Sequence, residues 1–301
     1  MADEIGFIGL GNMGGRMATR LAEQGRSVVG YDVVPGLTEK ARARAAGSVA
    51  EVAAAADIVL LSLPDSTVVE TVMDGDDGLL AASRPGQVIA DLSTAAPAST
   101  RALHRRLAAK GVSYLDAGIS GGAAAAEAGT LTLMVGGDPA ALERARPVFD
   151  CIGAKIFYCG AAGSGHTAKL LNNFLNAIAL AATAEVMVAG KKAGLDVETL
   201  LAVINASTGV NFASMNRFPK IIQGDYLKGG LTNTLMMKDV MLYTELLAEL
   251  GVVSVNASGP LAAFGLAKSL GYADQISNKV VDAIGDVSGG IRIQPDDKEA
   301  S

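Results

Sequence analysis

Glu4-Ile5-Gly6-Phe7-Ile8-Gly9-Leu10-Gly11-Asn12-Met13-Gly14 is the stretch on which the rest of the chain is read. Its first five residues read as a short buried strand, and Arg16-Met17-Ala18-Thr19-Arg20-Leu21 has helical spacing. Between them stands a G-x-G-x-x-G turn in which each glycine meets a different steric demand. Gly9 makes the tight turn, Gly11 lets a pyrophosphate approach the backbone, and Gly14 lets helix and strand pack closely. The helix start adds free N–H groups and the positive end of its dipole. Strand, turn and helix in this order read as the dinucleotide-binding opening of an α/β sheet.

The following residues extend that reading. Ser27-Val28-Val29-Gly30-Tyr31 reads as a second strand ending in Asp32, at about the 20-residue spacing expected of a ribose-binding acid. A carboxylate there accepts from both ribose hydroxyls and repels a 2′-phosphate, while the cations Lys40, Arg42 and Arg44 come only later. NAD is therefore expected rather than NADP. Further strands are expected at 58–63 and 87–91, each ending in a small polar loop. Such carboxyl-end loops line the ligand crevice of a doubly wound sheet, which makes Pro64, Ser93 and Thr94 candidates for the nicotinamide side. The competing reading is turn chemistry, with Ser93 or Thr94 capping the helix that Pro97 begins and Asp65 or Ser66 capping another. Strands at 112–116 and 130–135 follow. Between them Ser120-Gly121-Gly122 reads as a loop whose hydroxyl and backbone N–H groups suit a carboxylate, or as a plain flexible turn.

A second decisive stretch is Gly163-Ser164-Gly165-His166-Thr167-Ala168-Lys169-Leu170-Leu171-Asn172-Asn173, which opens an apolar helical segment reaching about Gly190. At about 100° per residue, Lys169, Asn172, Asn173 and Asn176 fall on one stripe. Polar groups buried there need partners, from the protein or from a ligand. His166 is read as a helix-start residue satisfied locally, and His104, amid Arg101, Arg105 and Arg106, as solvated surface. The polar interruptions make the segment a buried helix rather than a membrane span.

Composition narrows the classes. The 301 residues suffice for two modest domains, and a 50% hydrophobic content is not that of a disordered chain. A net charge of −6 argues against a nucleic-acid surface. The two cysteines, Cys151 and Cys159, and an acidic leader instead of a signal peptide point to the cytoplasm. No metal site and no membrane partner are expected.

Taken together, five motifs resemble the β-hydroxyacid dehydrogenase family, which includes 3-hydroxyisobutyrate dehydrogenases and tartronate semialdehyde reductases. They are 6–14, Asp91-Leu92-Ser93-Thr94, Asp116-Ala117-Gly118-Ile119-Ser120-Gly121-Gly122, 163–173 and Met237-Lys238-Asp239. The resemblance implies an α/β fold: an N-terminal Rossmann-type doubly wound sheet (1–162), followed by an all-α C-terminal domain (163–290) joined by a long helix. A flexible tail is expected at 291–301. The resemblance makes Lys169 the catalytic lysine, a general acid/base of the kind that partial burial suits, and Asn173 the amide that orients substrate. It makes Ser120, Gly121 and Gly122 the substrate loop; Asn172, from the polar stripe of the helix, is a further substrate-facing candidate. Cofactor contacts are expected from Gly9, Leu10, Gly11, Asn12, Met13, Gly14, Asp32, Leu63, Pro64, Thr94 and Lys238. Gly118 departs from the family, which usually has proline there, and this is expected to loosen the loop or make room for a different substrate.

Beyond Gly190, helical periodicity recurs through 200–204, 236–250 and 261–270, with a new helix start at Asp196. The loop 207–214 reads as a connector or as a cover over substrate. The expected reaction is hydride transfer between a nicotinamide cofactor and a small β-hydroxy acid such as 3-hydroxyisobutyrate. Its alternatives are reduction of tartronate or succinic semialdehyde and, outside enzymes, a dinucleotide-sensing module. The expected partners are a small carboxylate and further copies of the chain, in a homodimer or homotetramer.

Overall fold

The computed structural model describes residues 4–294. The chain divides into two compact units, Met1–Lys169 and Leu170–Ser301. In chain order the first contains β1 (Ile5–Ile8), α1 (Gly14–Glu23), β2 (Val28–Tyr31), α2 (Leu37–Lys40), β3 (Arg44–Ala45), α3 (Val49–Ala55), β4 (Ile58–Leu61) and α4 (Ser66–Met73). It continues with α5 (Leu79–Ala82), β5 (Val88–Asp91), α6 (Pro97–Ala108), β6 (Ser113–Ser120), α7 (Gly122–Ala128), β7 (Leu131–Gly136), α8 (Pro139–Ile152) and β8 (Gly153–Gly160).

The eight strands form one sheet in the order β3-β2-β1-β4-β5-β6-β7-β8. Every neighbouring pair is parallel except β6 and β7. The order reverses between β1 and β4, where the carboxyl ends of strands leave a ligand crevice. Alternation along each strand explains the two covered faces. Ile5 and Phe7, Leu60, Val88 and Ala90, and Leu115 and Ala117 join one core with Met17, Leu21 and Phe149 from α1 and α8. Ile8, Val59 and Leu61, Ile89 and Tyr114 join the other with Val52, Val69, Met73, Leu103 and Leu107 from α3, α4 and α6. Phe7 is fully buried, and truncating such a side chain to alanine costs about 3–5 kcal/mol.

Helix α9 (Ser164–Lys192) begins in the first unit and runs into the second. The second unit is otherwise α10 (Val197–Asn205), α11 (Phe212–Asn216), α12 (Phe218–Ile221), α13 (Asn233–Leu250), α14 (Ser258–Ala267) and α15 (Val280–Val287). Among the described residues α9 alone is long and apolar enough to cross a membrane. It supplies Ala177, Leu180, Ala184 and Met187 to a core shared with Phe218, Met236, Val240 and Phe264, so it is a core helix. Asp196 caps α10 by accepting from Thr199 N–H at 2.7 Å, as its place in the sequence predicts.

Several local readings need correction. β8 and the two-residue β3 carry no expected strand signal. The segment 117–120, expected as loop, continues β6, with Gly118 opposite Met134 and Ser120 opposite Thr132. Neither Ser93 nor Thr94 caps α6, whose N-cap is Ala96 with no side-chain bond. Asp65 does cap α4, accepting from Val68 N–H at 3.0 Å. The loop expected at 207–214 ends early, because Asn211 and Ser214 form a reciprocal capping box that starts α11. Ile291 packs against the second core and Ile293 lies within it; the tail residues 295–301 lie outside the described residues.

Candidate active site

At the glycine turn, Gly9 takes φ +87°, a left-handed conformation that favours glycine, and its N–H donates to Tyr31 O at 3.0 Å. A side chain at Gly14 would collide with the Gly9 carbonyl, whereas one at Gly11 would meet no protein atom within 4 Å. The turn therefore packs tightly where helix meets strand and lies open at Gly11, as a bound pyrophosphate requires. Asp32 ties the end of β2 to this turn: Oδ2 accepts from Leu10 N–H at 2.6 Å and Oδ1 from Val34 N–H at 2.8 Å. Each oxygen keeps a further acceptor site for a ribose hydroxyl. Leu10 is buried to 2% and acts through its backbone. Met13 packs at the edge of the core.

Arg16 holds the turn from α1, donating from Nη1 to Asn12 O at 2.7 Å and to Asn12 Oδ1 at 2.6 Å. Its Nε donates to Glu127 of α7 at 2.7 Å. A cavity of about 430 Å³ lies on this side, lined by Leu10, Gly11, Asn12, Arg16, Leu37 and Lys40 among others. Of the expected cofactor residues it takes in only those three at the turn. It therefore borders the phosphate end of the crevice rather than the loops carrying Pro64 and Thr94.

Those two loops brace each other. Ser93 Oγ accepts from Leu63 N–H at 2.9 Å, and Ser66 Oγ accepts from Ala96 N–H at 2.8 Å. Beneath them Asp91, fully buried, accepts from Ser93 N–H at 3.0 Å through Oδ1 and from the Tyr114 hydroxyl at 2.9 Å through Oδ2. Leu63, Pro64 and Thr94 are thus mounted on a cross-linked pair of strand ends.

The start of α9 is fixed by a second buried carboxylate. Asp116 Oδ1 accepts from Gly163 N–H at 2.8 Å, and Oδ2 accepts from His166 N–H at 2.9 Å. The negative charge faces the positive end of a long helix dipole. His166 is fully buried, with Nδ1 2.7 Å from Thr100 Oγ1 and Nε2 3.2 Å from Asp91 O. Its side-chain partners come from β5 and α6 rather than from its own turn, where the sequence reading placed them. His104 is half-buried, with Nδ1 3.4 Å from Tyr114 O.

Asp116, Gly118 and Ser120 alternate on one face of β6. A Cβ placed on Gly118 would stand 2.6 Å from Lys169 Cβ and 3.0 Å from its Cγ. The space that a side chain at Gly118 would occupy is taken by the lysine stem, and Gly118 lies within β6 rather than in a loop. Lys169 is 7% exposed. Ser120 ends the strand on the same face. Gly121 and Gly122 follow at φ +131° and +72°, a turn open to glycine alone, before α7 starts.

In the second unit, Asn173 is 2% exposed and its Nδ2 donates to Asp239 Oδ2 at 2.5 Å. Lys238 Nζ lies 3.1 Å from Asp239 Oδ1 as an ion pair, outside hydrogen-bond alignment. Asp239 thus fixes the Asn173 amide, a duty that sequence reading did not assign. Asn172 is exposed, with Nδ2 3.4 Å from Asn173 Oδ1. Asn176 leaves the polar stripe to accept from Arg217 Nη2 at 2.9 Å.

Comparison with known proteins agrees with both units. Residues 4–160 match the family model for the NAD binding domain of 6-phosphogluconate dehydrogenase. Residues 163–284 match that for the NAD-binding region of NADP-dependent 3-hydroxyisobutyrate dehydrogenase. The chain is 40% identical to 2-(hydroxymethyl)glutarate dehydrogenase of Eubacterium barkeri, over 80% of this chain and 81% of that one. It is 39% identical to an NAD-dependent L-serine dehydrogenase of Pseudomonas aeruginosa, over 90% and 94%. Among solved structures, 3-hydroxyisobutyrate dehydrogenase of Mycobacterium tuberculosis with L-serine superposes with a TM-score of 0.85 at 34% identity, covering 95% of this chain and 99% of that one.

Proposed function

The chain belongs to the β-hydroxyacid dehydrogenase family, and from that premise we propose that it moves a hydride between NAD and the carbinol carbon of a small β-hydroxy acid, 3-hydroxyisobutyrate-like, with Lys169 moving the hydroxyl proton. When bound, the nicotinamide dinucleotide supplies the hydride chemistry. The glycine turn 9–14 holds its pyrophosphate, Asp32 its ribose in preference to a 2′-phosphate, and Leu63, Pro64, Thr94 and Lys238 its nicotinamide side.

The observation that carries this reading is the shared face of β6, where the Lys169 stem lies on Gly118 and Ser120 follows in register. Two strand residues span about 6.6 Å, a separation that suits a substrate gripped at one end and deprotonated at the other. Ser120 with the Gly121 and Gly122 amides binds the carboxylate. Lys169 accepts the hydroxyl proton in oxidation and returns it in reduction. Asn173, with one amide N–H committed to Asp239, donates its other N–H to the same oxygen or offers Oδ1 to the ammonium. Asn172 lines the substrate beside it. The reverse reaction, reduction of a carboxylated semialdehyde, uses the same groups.

The protein acts in the cytoplasm as a homo-oligomer. Leu171, Leu175 and Val186 of α9 are 43%, 67% and 48% exposed, an apolar set that a second copy would cover. The function is tested by mixing the protein with NAD or NADP and β-hydroxy acids of three to six carbons, and following reduced-nicotinamide absorbance. Turnover of at least one acid with NAD is expected. Cofactor binding without turnover of any acid would overturn the reading.

A further inference from the structure

Arg16 stands in the first turn of α1, and its guanidinium is held on two sides. Nη1 donates to the Asn12 carbonyl and side-chain oxygens at 2.7 and 2.6 Å, and Nε donates to Glu127 Oε1 at 2.7 Å. The first grip sets a backbone direction. Holding the Asn12 carbonyl fixes the plane of the Asn12–Met13 peptide, which is trans, so the Met13 N–H points the opposite way. That peptide belongs to the glycine turn proposed to hold the pyrophosphate.

The second grip reaches a different loop. Glu127 lies one residue from the end of α7, the helix that begins within the proposed carboxylate loop 120–122. α7 reads Gly-Ala-Ala-Ala-Ala-Glu-Ala, so Glu127 is its one side chain longer than a methyl. Ala126 is fully buried in the core that holds Met17 and Ala18 of α1. Just past α7, a Cβ on Gly129 would stand 2.6 Å from Arg20 Nε. Methyl groups let the two helices approach closely but form shallow ridges that oppose sliding weakly. The Glu127 carboxylate therefore sets where α7 rests along α1. An ion pair whose side chains are 34% and 61% exposed adds little to stability. Its consequence lies in joining two ligand loops across a bond that spans 111 positions of sequence.

We infer that Arg16 and Glu127 are positioning residues that transmit cofactor binding from the glycine turn to the substrate loop. Pyrophosphate on the Asn12–Met13 peptide steadies Arg16, Arg16 steadies α7, and α7 presents Ser120, Gly121 and Gly122 to the carboxylate of the acid. NAD thereby raises affinity for the acid, and reciprocity makes the acid raise affinity for NAD by the same factor. The inference rests on the proposed function for the identity of the two loops.

Glu127→Ala removes the link at an exposed helical position where alanine is the best helix former, and Glu127→Gln keeps a neutral acceptor for Arg16 Nε. Far-UV circular dichroism checks that both variants are folded. Hydrogen exchange of the 123–128 amides is measured with and without saturating NAD, in the absence of any acid. NAD is expected to slow exchange in wild type by about 2- to 5-fold, the range for a partly exposed charge pair. This protection should vanish in Glu127→Ala, remain in part in Glu127→Gln, and weaken in wild type at about 1 M salt. Equal protection in wild type and Glu127→Ala, or none in wild type, would overturn the inference.

The second arm titrates isobutyrate, which has a carboxylate and no hydroxyl to oxidise, by calorimetry with and without NAD. The gain in isobutyrate affinity that NAD confers is expected to be about 2- to 5-fold smaller in Glu127→Ala than in wild type. An equal gain in both proteins would overturn the link to the substrate loop. Protection that follows Glu127, while isobutyrate fails to bind wild type with NAD, would sink the carboxylate reading of 120–122 and leave the link from the glycine turn to α7 standing.

Discussion

Gly118 and Lys169 meet so closely that a methyl group added to the glycine would stand 2.6 Å from the lysine Cβ. The contact is at the base of the lysine, where no rotamer change relieves it, so strand and helix would have to part. Gly118→Ala is expected to lower kcat by about 10- to 100-fold, since displacing a reacting group by about 1 Å has that effect. Cofactor binding should stay within about threefold of wild type, because the glycine turn is remote. Steady-state kinetics and cofactor titration check both parts.

Asp116 is the group that starts α9. Asp116→Ala strands the buried N–H donors of Gly163 and His166, whose present bonds are 2.8 and 2.9 Å. The loss should amount to about 2–4 kcal/mol of unfolding free energy, read from urea denaturation. Asp116→Asn keeps one acceptor and should lose less.

Asp32 has two duties, tethering the glycine turn and meeting the ribose. Asp32→Asn keeps an acceptor for Leu10 N–H or Val34 N–H but removes the charge that repels a 2′-phosphate. The ratio of kcat/KM for NAD to that for NADP is expected to fall by about tenfold or more, roughly the loss of one charge-assisted contact. An unchanged ratio would remove Asp32 from cofactor selection.

Burial pushes the Tyr114 phenol well above its ordinary value of 10.0, with Asp91 and Asp116 adding to the rise. Below that value the phenol is protonated in both folded and unfolded chains and its contribution is complete. As pH climbs higher, the unfolded chain loses the proton first and stability falls. Tyr114→Phe should flatten this alkaline loss by up to about 1.4 kcal/mol per pH unit, measured from urea midpoints between about pH 9 and pH 11.

The parts of the fold legible in the sequence were those whose signal is local. The glycine turn, Asp32, the β1, β2, β4, β5 and β7 runs and the Asp196 cap each follow from neighbours in the chain. β8 was not legible because its face is mostly exposed, with Phe157 at 55% and Tyr158 at 48%, so no buried alternation marks it. The end of β6 read as loop because Ala117, Gly118 and Ser120 are small, and only the fold shows that the missing side chain is replaced by Lys169. Asp91, Tyr114, Thr100 and His166 form one bonded group from four separate elements, which periodicity cannot join. Asp239 stood beside Lys238 in a recognised motif, yet its bond to Asn173 spans 66 positions.

Whether Lys169 moves the proton is decided by Lys169→Ala, with single-turnover hydride transfer and NAD affinity measured together on an acid that the wild type oxidises. Transfer slower by about 10²- to 10⁴-fold is expected, the range for loss of a general acid/base, with NAD affinity near that of wild type. Transfer near the wild-type rate with NAD bound would contradict it.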